Sequence, residues 1–403
     1  MGKNGKYGKD YGKVVGKEAS NRPGWRGPGY IKKVEAPSGS KKPKEGHSLE
    51  PVIPVELQQL LLNIFKDTFP EVLNSDSLQS LLQDVKAALY ERDFNRAFGK
   101  EEYLEAYSIR WSPSRALCYL SVLIGLQKHL VQVFQSSGNS DPQGKTTDAP
   151  AVAVTAPNSI LSALCFGGGA AEVVAFGGFL RFICNGSALL PDLTDSDSAL
   201  PKSLFGDNPQ ISLHLVDTAQ WGDVVAKLCN GLTTPPLLSK YASAAAKAAN
   251  SSLIPSGVIT TNISSDDVLA LSQTQLKAMV GQRPMLCTLL FTLNELYTTS
   301  IGKTTEFLMN LTSATQSGTL LLIVDSPGSY SETTVGSGAK KYPMQWLLDH
   351  TLLKTEKSRG QESTANWVKI VSEDSHWFRL PDDLRYPISL ENMRYQLHLY
   401  RRA

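Results

Sequence analysis

Hydrophobic residues recur every three or four positions in the chain beyond residue 53, which predicts amphipathic helices. The apolar face of the first helix consists of Leu57, Leu60, Leu61, Ile64 and Phe65. A second helix is predicted from Asp76 to about Arg92. A third runs from Ser112, which we expect to cap it, to about Phe134, with Pro113 in its first turn. The pattern therefore predicts an N-terminal helical region over residues 49–134.

From residue 158 onward, short apolar runs alternate with helical patterns. The runs predict strands at residues 160–166, 211–216, 258–263, 285–293, 319–324, 367–371 and 393–401. Helices are predicted between them, including residues 221–228, a helix ending at Leu276, and residues 342–353. Alternating strands and helices are typical of a parallel sheet covered on both faces. We therefore predict an α/β fold over residues 158–403, doubly wound, with the last two strands forming a terminal hairpin.

Polar segments rich in Ser, Gly and Pro separate these parts of the chain. Residues 135–157 are predicted to link the helical region to the sheet domain, and residues 185–210 and 233–257 are predicted insertions within that domain. Residues 1–48 have a composition that cannot bury enough apolar surface to offset the entropy of ordering. We therefore predict that this tail is disordered.

The basic charge of the chain is concentrated in the tail. Residues 1–46 contain twelve Lys and Arg against four Asp and Glu, a net charge of +8, so with +2 overall the remainder carries −6. Cations interleaved with aromatic residues suit an RNA backbone and unstacked bases. Lys41, Lys42 and Lys44, around Pro43, resemble a nuclear-import signal. The alternative is a tail that only keeps the protein soluble.

The sequence gives no sign of a metal or membrane site. Its five cysteines are widely spaced and include no C-x-x-C pair, which favours a reducing compartment and argues against zinc. The longest apolar run, residues 116–126, is too short to span a bilayer.

Three consecutive glycines, Gly167, Gly168 and Gly169, join the first predicted strand of the sheet to a helix. A dinucleotide-binding turn would need a further glycine where Glu172 stands, and the Gly-Lys-Ser/Thr of a phosphate-binding loop is absent. The spacing instead follows G-x-G-x-G with Ala171 in the last position, a turn that S-adenosylmethionine-dependent methyltransferases use. A side chain at Gly168 is expected to fill the ligand's space without disturbing the core. Alternatively, the turn only connects strand to helix.

Acidic residues follow the next two strands. Asp217 lies 48 residues beyond Gly169, and subtracting the 26-residue insertion leaves 22, close to the spacing of an acid that binds ribose hydroxyls. Asp267, or its neighbour Asp266, could accept the exocyclic amine of an adenine. Each of these carboxylates could instead cap a helix.

Two further clusters are candidates for substrate contact. Asn294, Glu295 and Tyr297 follow the fourth predicted strand, and the ligand crevice of such sheets lies at the carboxyl ends of the strands. Arg110 and Arg115 flank Trp111 near a helix start, where they could contact RNA. The alternative for the second cluster is a buried Trp beside a salt-bridged Arg.

The chain resembles the fungal 25S ribosomal RNA uridine-N3-methyltransferases, of the Rossmann-like S-adenosylmethionine-dependent class. The similar segments are residues 110–115, 165–172, 216–221, 291–297, 377–381 and 390–400. The resemblance implies S-adenosylmethionine as the cofactor and 25S ribosomal RNA or a pre-ribosomal particle as the partner, with no metal. It also implies rRNA processing during ribosome biogenesis, in the nucleus or nucleolus and also in the cytoplasm. Gly167 to Gly169 and Glu172 are then expected to hold the cofactor, with Asp217 on its ribose and Asp267 near its adenine.

Methylation at uridine N3 implies a base, because that nitrogen carries a proton. Glu295 is the candidate, and burial at the strand end would raise its pKa toward the working pH. Asn294 would then hydrogen-bond a uracil carbonyl, and Tyr297 would stack on the ring. Alternatively, Glu295 pairs with Arg110 or Arg115 and only holds the helical region to the sheet.

Two other functions remain open from the sequence. A nicotinamide-dependent oxidoreductase would explain the fold and the glycines, but the dinucleotide fingerprint is incomplete. A catalytically silent ribosome-assembly factor that only binds RNA would keep the fold without the chemistry.

Overall fold

The computed structural model describes residues 53–136, 159–185, 205–206, 208–328, 332–334, 341–353 and 366–403. The basic tail with Lys41, Lys42 and Lys44 lies outside these residues, as do most of the predicted linker and most of the insertion at 185–210. The described residues fall within one compact unit, Glu50–Ala403.

The N-terminal part of this unit is helical. Its helices are α1 (Val55–Thr68), α2 (Pro70–Leu73), α3 (Leu78–Tyr90), α4 (Phe94–Phe98), α5 (Glu101–Arg110), α6 (Ser112–Gly125) and α7 (Gln127–Leu130). Pro113 lies in the first turn of α6, as predicted, but Ser112 is already helical and its side chain does not cap. The predicted helix to Phe134 is wrong, because the chain bends at Leu126 and ends in a 3-10 turn, Val131–Val133.

No single helix of the described part is long and apolar enough to cross a membrane, although Ser112–Gly125 with Gln127–Val133, bent by 65°, has the length and composition.

The described residues form ten strands, and seven of them make up the main path of the sheet. The strands are β1 (Phe134–Ser136), β2 (Ser159–Phe166), β3 (Pro209–Asp217), β4 (Ile259–Ser265), β5 (Leu286–Leu290), β6 (Leu320–Asp325), β7 (Glu332–Thr334), β8 (Lys341–Pro343), β9 (Trp367–Phe378) and β10 (Met393–Arg402). The path is β4-β3-β2-β5-β6-β10-β9, β1 pairs with the start of β2, and β7 pairs with β8 separately. β2 to β6 are parallel, and β10 is antiparallel to both β6 and β9. The predicted parallel sheet and terminal hairpin are confirmed.

Helices cover both faces of the sheet, as the alternating pattern predicted. The remaining helices are α8 (Ala170–Asn185), α9 (Gly222–Thr233), α10 (Ala244–Ala249), α11 (Gln273–Val280), α12 (Leu293–Thr299), α13 (Ile301–Ala314) and α14 (Met344–Leu352). One apolar core joins α1, α6, α8 and α9 to one face, and a second joins α11, α13 and α14 to the other. The N-terminal helices therefore share a core with the sheet, and burial of this shared apolar surface holds the two regions together.

Two predicted boundaries are wrong at the edge where the parallel strands end. The predicted strand 285–293 ends at Leu290, and α12 already begins at Leu293. The helix predicted to end at Leu276 instead runs from Gln273 to Val280, as α11, with Ser272 as its cap and a separate 3-10 turn, Val268–Ala270, before it.

The strand order reverses between β2 and β5, because β3 and β4 lie on one side of β2 and β6 lies beyond β5. In open α/β sheets such a switch point leaves a crevice at the carboxyl ends of the strands. The turns after β2 and β5 meet there, since a Cβ built on Gly167 would lie 2.4 Å from the Thr292 hydroxyl.

Candidate active site

A cavity of about 900 Å³ opens along the carboxyl edge of β4, β3, β2 and β5. It is closed on its other side by residues of the N-terminal helical part. Its charged lining is mostly acidic and consists of Asp93, Glu172, Asp217, Asp266, Asp267 and Glu295, against Arg92 and Arg115. A cavity of this volume is in the range of sites for small molecules and cofactors. Its charge favours a cationic ligand over a phosphate.

The glycine turn uses its backbone N–H groups within the protein. The N–H of Gly167 donates to Val216 O at 2.7 Å, and that of Gly168 to Cys165 O at 3.3 Å. The N–H of Gly169 donates to Glu172 Oε2 at 2.8 Å. The three glycine N–H groups are therefore bonded within the protein and do not face a ligand. A pyrophosphate, which such turns bind through free N–H groups, would find none on the three glycines.

Glu172 lies in the first turn of α8 and lines the cavity although its side chain is only 5% exposed. A carboxylate at a helix N-terminus interacts favourably with the helix dipole. Burial nevertheless raises the pKa of Glu172 to about 7, with the Gly169 N–H and the Arg115 charge acting in the opposite direction. The prediction that Glu172 lies at the cofactor site is consistent with this position.

The two carboxylates expected at the adenosine end both line the cavity. Asp217 is the last residue of β3, and its Oδ1 accepts a 2.7 Å hydrogen bond from Ala219 N. Burial raises its pKa. Asp267 accepts from Leu269 N at 2.9 Å and so caps the 3-10 turn. Asp217 does not cap α9, whose N-cap residue is Trp221, but it also forms a hydrogen bond with the Trp221 side chain. A carboxylate can accept about four hydrogen bonds, so Asp217 and Asp267 each keep acceptor capacity for a ligand.

Among the described residues, two residues other than glycine have a positive φ, and both line this cavity. Phe291 follows β5 with φ 57°, and Arg92 follows α3 with the same value. Such conformations are costly for non-glycine residues and cluster at functional sites. Neither residue has a sequence signal that could have revealed this role.

Aromatic rings form the wall contributed by the helical region. Tyr107 packs against Trp111 and Trp221, and Tyr119 stacks on Phe291 with centroids 6.3 Å apart. Arg115 lies between Tyr107 and Phe291 and lines the cavity. Arg110 is not among the lining residues, because it pairs with Glu391 and packs over Trp111. Arg110 is therefore the salt-bridged arginine beside a tryptophan that the alternative interpretation predicted, whereas Arg115 lines the cavity.

The residues after β5 divide between the cavity and the core. Glu295 lines the cavity, but its side chain is 34% exposed and forms a 3.3 Å ion pair with Arg92. The expected burial is therefore wrong, and so is the alternative pairing with Arg110 or Arg115. Tyr297 is 1% exposed and belongs to the core under the other face of the sheet, so it cannot stack on a bound base. Asn294 is also buried, and it does not belong to the cavity lining.

Asp325, which sequence reasoning left without a role, follows β6 and supports the loop after β5. Its carboxylate accepts hydrogen bonds from Asn294 N at 2.9 Å and from Ser326 N at 2.7 Å. Burial raises its pKa to about 6. The described residues contain no group of three or more His, Cys, Asp or Glu side chains that could hold a metal ion.

Gly168 does not face the ligand space, contrary to expectation. A Cβ there would lie 2.7 Å from Cys165 Cβ and 3.1 Å from Leu215 Cδ2. We expect Gly168→Ala to destabilise the fold by about 1–3 kcal/mol, because it overpacks a close-packed core. Urea denaturation measures this, with Gly222→Ala as the control because its Cβ would meet nothing within 4 Å. Equal stability of both variants would contradict the assigned packing.

Comparison with known proteins identifies the family. A family model described as S-adenosylmethionine-dependent methyltransferase matches residues 65–401. The 25S rRNA (uridine(2843)-N(3))-methyltransferase of Saccharomyces cerevisiae is 32% identical over 352 residues, which cover 85% of each chain.

Solved structures give only distant matches. The crystal structure of LaPhzM is 11% identical, with a TM-score of 0.28 over 82% of this chain and 74% of its own. An O-methyltransferase family 2 protein from Planctomyces limnophilus is 10% identical, with a TM-score of 0.27 over 86% and 93%. TM-scores of this size support no conclusion.

The family match covers the glycine turn, the acidic strand ends and the residues after β5. Gly167, Gly169, Asp217, Asp267 and Glu295 of these segments line one cavity. The cofactor of the family is therefore S-adenosylmethionine, and the acidic lining fits its positive charge. This chain belongs to the S-adenosylmethionine-dependent methyltransferases.

Proposed function

We propose that this protein methylates N3 of a uridine in 25S ribosomal RNA. The yeast relative that shares 32% of its residues over 85% of both chains is named for that reaction. The observation in the structure that supports transfer from a cationic donor is the glycine turn. Its three N–H groups are satisfied internally and the Glu172 carboxylate lies at the helix start, so negative charge occupies the place where other folds bind phosphate.

Asp217 and Asp267 are the residues we assign to the adenosine end. They follow neighbouring parallel strands, β3 and β4, on the side of the cavity away from β5. Carboxylate oxygens accept hydrogen bonds, as ribose hydroxyls and an exocyclic amine require. When bound, S-adenosylmethionine supplies an electrophilic methyl group on a sulfonium. Residues that follow β2 and β5 would hold its methionine end.

Glu295 is the residue we assign as the base for uridine N3. It is the acidic side chain of the cavity lining that follows β5, at the opposite end from Asp217 and Asp267. Its ion pair with Arg92 fixes the carboxylate at the cavity wall. The target uridine must leave any base pair, because N3 lies on the Watson–Crick edge. Stacking, first expected of Tyr297, is assigned instead to the aromatic wall formed by Tyr107, Trp111, Tyr119 and Phe291.

The direct test is methyl transfer by the purified protein. Labelled S-adenosylmethionine and ribosomal RNA lacking the modification are incubated with the full chain, and the nucleosides are separated after digestion. We expect label in 3-methyluridine, and none with Asp217→Ala, which removes the acceptor for the ribose. Label in 5-methyluridine or in a 2′-O-methylated nucleoside would contradict the proposed position of methylation.

The basic tail is proposed to supply RNA affinity that does not depend on sequence. Residues 1–46 carry a net charge of +8, whereas the rest of the chain carries −6. Release of counterions makes such binding weaken with salt, by a slope of about 0.7 per phosphate contacted on a single strand. Deleting residues 1–46 should therefore weaken RNA binding and flatten its salt dependence in filter-binding titrations. An unchanged slope would assign the RNA contact to the folded unit.

The same tail also contains a candidate signal for the cellular location of the protein. Lys41, Lys42 and Lys44 form a short basic cluster around Pro43, which resembles a nuclear-import signal. We propose that the protein acts during ribosome biogenesis in the nucleus or nucleolus, and also enters the cytoplasm.

A further inference from the structure

Arg115 lies in the cavity wall at the start of α6. Its guanidinium carbon is 5.5 Å from the centroid of the Tyr107 ring and 5.4 Å from that of Phe291. Its Nη1 also donates a hydrogen bond to the Tyr107 hydroxyl. The two rings and this hydrogen bond fix the guanidinium, and a fixed planar group loses little entropy when it binds a ligand.

The charge of Arg115 is not matched by a carboxylate in contact with it. Among the described residues, no Asp or Glu forms an ion pair with Arg115. Glu172 and Asp325 act on it electrostatically, but both carboxylates accept backbone N–H groups instead. A guanidinium has five N–H donors, and one of them is used here. The cavity therefore contains a fixed cation with unused donors.

The carboxyl group of Glu172, held by its hydrogen bond to Gly169 N, lies in the same cavity. The Glu172 carboxylate accepts one hydrogen bond from Gly169 N, and a carboxylate can accept about four. Glu172 and Arg115 influence each other's charge without forming an ion pair. A separated carboxylate and guanidinium together complement a zwitterion, which is the charge distribution of an amino acid.

A phosphate is a poor fit to the same place. Arg115 shares its cavity with six acidic side chains and with Arg92 alone as a second cation. A phosphate diester bound at Arg115 would share the cavity with Glu172. Repulsion between the two negative charges would offset part of the binding free energy gained from the guanidinium. A ligand that carries its own ammonium group does not have this cost.

We propose that Arg115 binds the α-carboxylate of the methionine part of S-adenosylmethionine and that Glu172 accepts a hydrogen bond from its ammonium group. Arg115 is thus a cofactor-binding residue, in place of the RNA contact expected from the sequence. The bidentate geometry of a guanidinium matches a carboxylate, whereas the ammonium of a lysine does not. The inference rests on the proposed function only through the cofactor, and not through the RNA.

Calorimetry with two ligands tests this assignment in the full chain without RNA. S-adenosylhomocysteine keeps the amino-acid group, whereas 5′-methylthioadenosine keeps the adenosine and the thioether but lacks that group. Arg115→Met should weaken binding of S-adenosylhomocysteine roughly 10- to 100-fold, the effect of losing hydrogen bonds between charged groups. It should change binding of 5′-methylthioadenosine less than about twofold, since that ligand never reaches Arg115. Glu172→Gln should show the same selectivity with a smaller loss.

Equal losses for the two ligands would mean that Arg115 only maintains the shape of the cavity, and no loss for either would mean that Arg115 does not contribute to cofactor binding. Both results would overturn the assignment. A ligand-side measurement covers the case in which Arg115→Met does not fold. Decarboxylated S-adenosylhomocysteine keeps the ammonium group but lacks the carboxylate. It should therefore bind the unmodified protein more tightly than 5′-methylthioadenosine and more weakly than intact S-adenosylhomocysteine. Equal affinity of the decarboxylated and intact ligands would contradict a carboxylate contact. Because no RNA is present, failure of uridine methylation leaves these results unaffected.

Discussion

Glu295→Gln is expected to lower the rate of methyl transfer by roughly 10²- to 10⁴-fold, the usual contribution of a general base. The substitution keeps the shape of the side chain but cannot take the N3 proton. Single-turnover transfer with saturating RNA and cofactor measures the step itself, because binding and product release are removed from the rate. Cofactor affinity should change little, since the contacts assigned to the cofactor are made by Asp217, Asp267, Arg115 and Glu172 and not by Glu295.

Arg92→Gln is the matched control for this prediction. Arg92 forms the other half of the 3.3 Å ion pair, so the variant breaks the same contact and leaves the carboxylate in place. If the pair only holds the helical region to the sheet, both variants should lower the melting temperature alike and keep most of the rate. If Glu295 is the base, Arg92→Gln should keep most of the rate that Glu295→Gln loses.

Glu172→Gln is expected to stabilise the cofactor-free protein at pH 8 by on the order of 3 kcal/mol, given the raised pKa of about 7. The folded state holds the proton of Glu172 more tightly than the unfolded chain, whose carboxyl has its ordinary pKa of 4.5. Stability from this group is therefore fully present below pH 4.5 and is lost as the pH rises through about 7. The uncharged amide has no such loss and still accepts from Gly169 N.

Urea denaturation at pH 5 and pH 8 without cofactor measures the difference between the two proteins. The variant should be nearly as stable as the parent at pH 5 and more stable at pH 8. Glu306→Gln, an exposed position on α13, is the control and should differ from the parent at neither pH. A Glu172→Gln difference that is the same at both pH values would contradict the assigned burial of the charge.

The strand ends were predictable because the apolar runs and the glycine turn carry local signals. The position of Asp217 at the end of β3 followed from the apolar run at residues 211–216, and its spacing from Gly169 predicted only its role. The residues after β5 were not predictable in the same way. Phe291 takes a left-handed backbone conformation that usually requires glycine, so nothing in the sequence shows that the strand stops at Leu290.

The early start of α12 decides which of its side chains reach the site. In a helix, residues four apart share a face. Leu293 and Tyr297 are such a pair and both enter the core, whereas Glu295 and Thr299 line the cavity. A strand continued to Leu293 would have placed Tyr297 in a loop at the crevice, which is why the stacking role was assigned to it. The contacts of Arg92 and Arg115 depend on long-range packing and have no local signal.

Mapping of methylated uridines in ribosomal RNA tests the central claim most directly. The RNA is taken from the source organism without this protein, and again with the intact chain or the Glu295→Gln variant restored. We expect one 3-methyluridine of the 25S RNA to disappear, to return with the intact chain, and to stay absent with the variant although the variant is folded and present. If the modification returns with the Glu295→Gln variant as fully as with the intact chain, Glu295 is not the base. An unchanged set of 3-methyluridines in the absence of the protein would contradict the proposed function and leave a role in binding RNA.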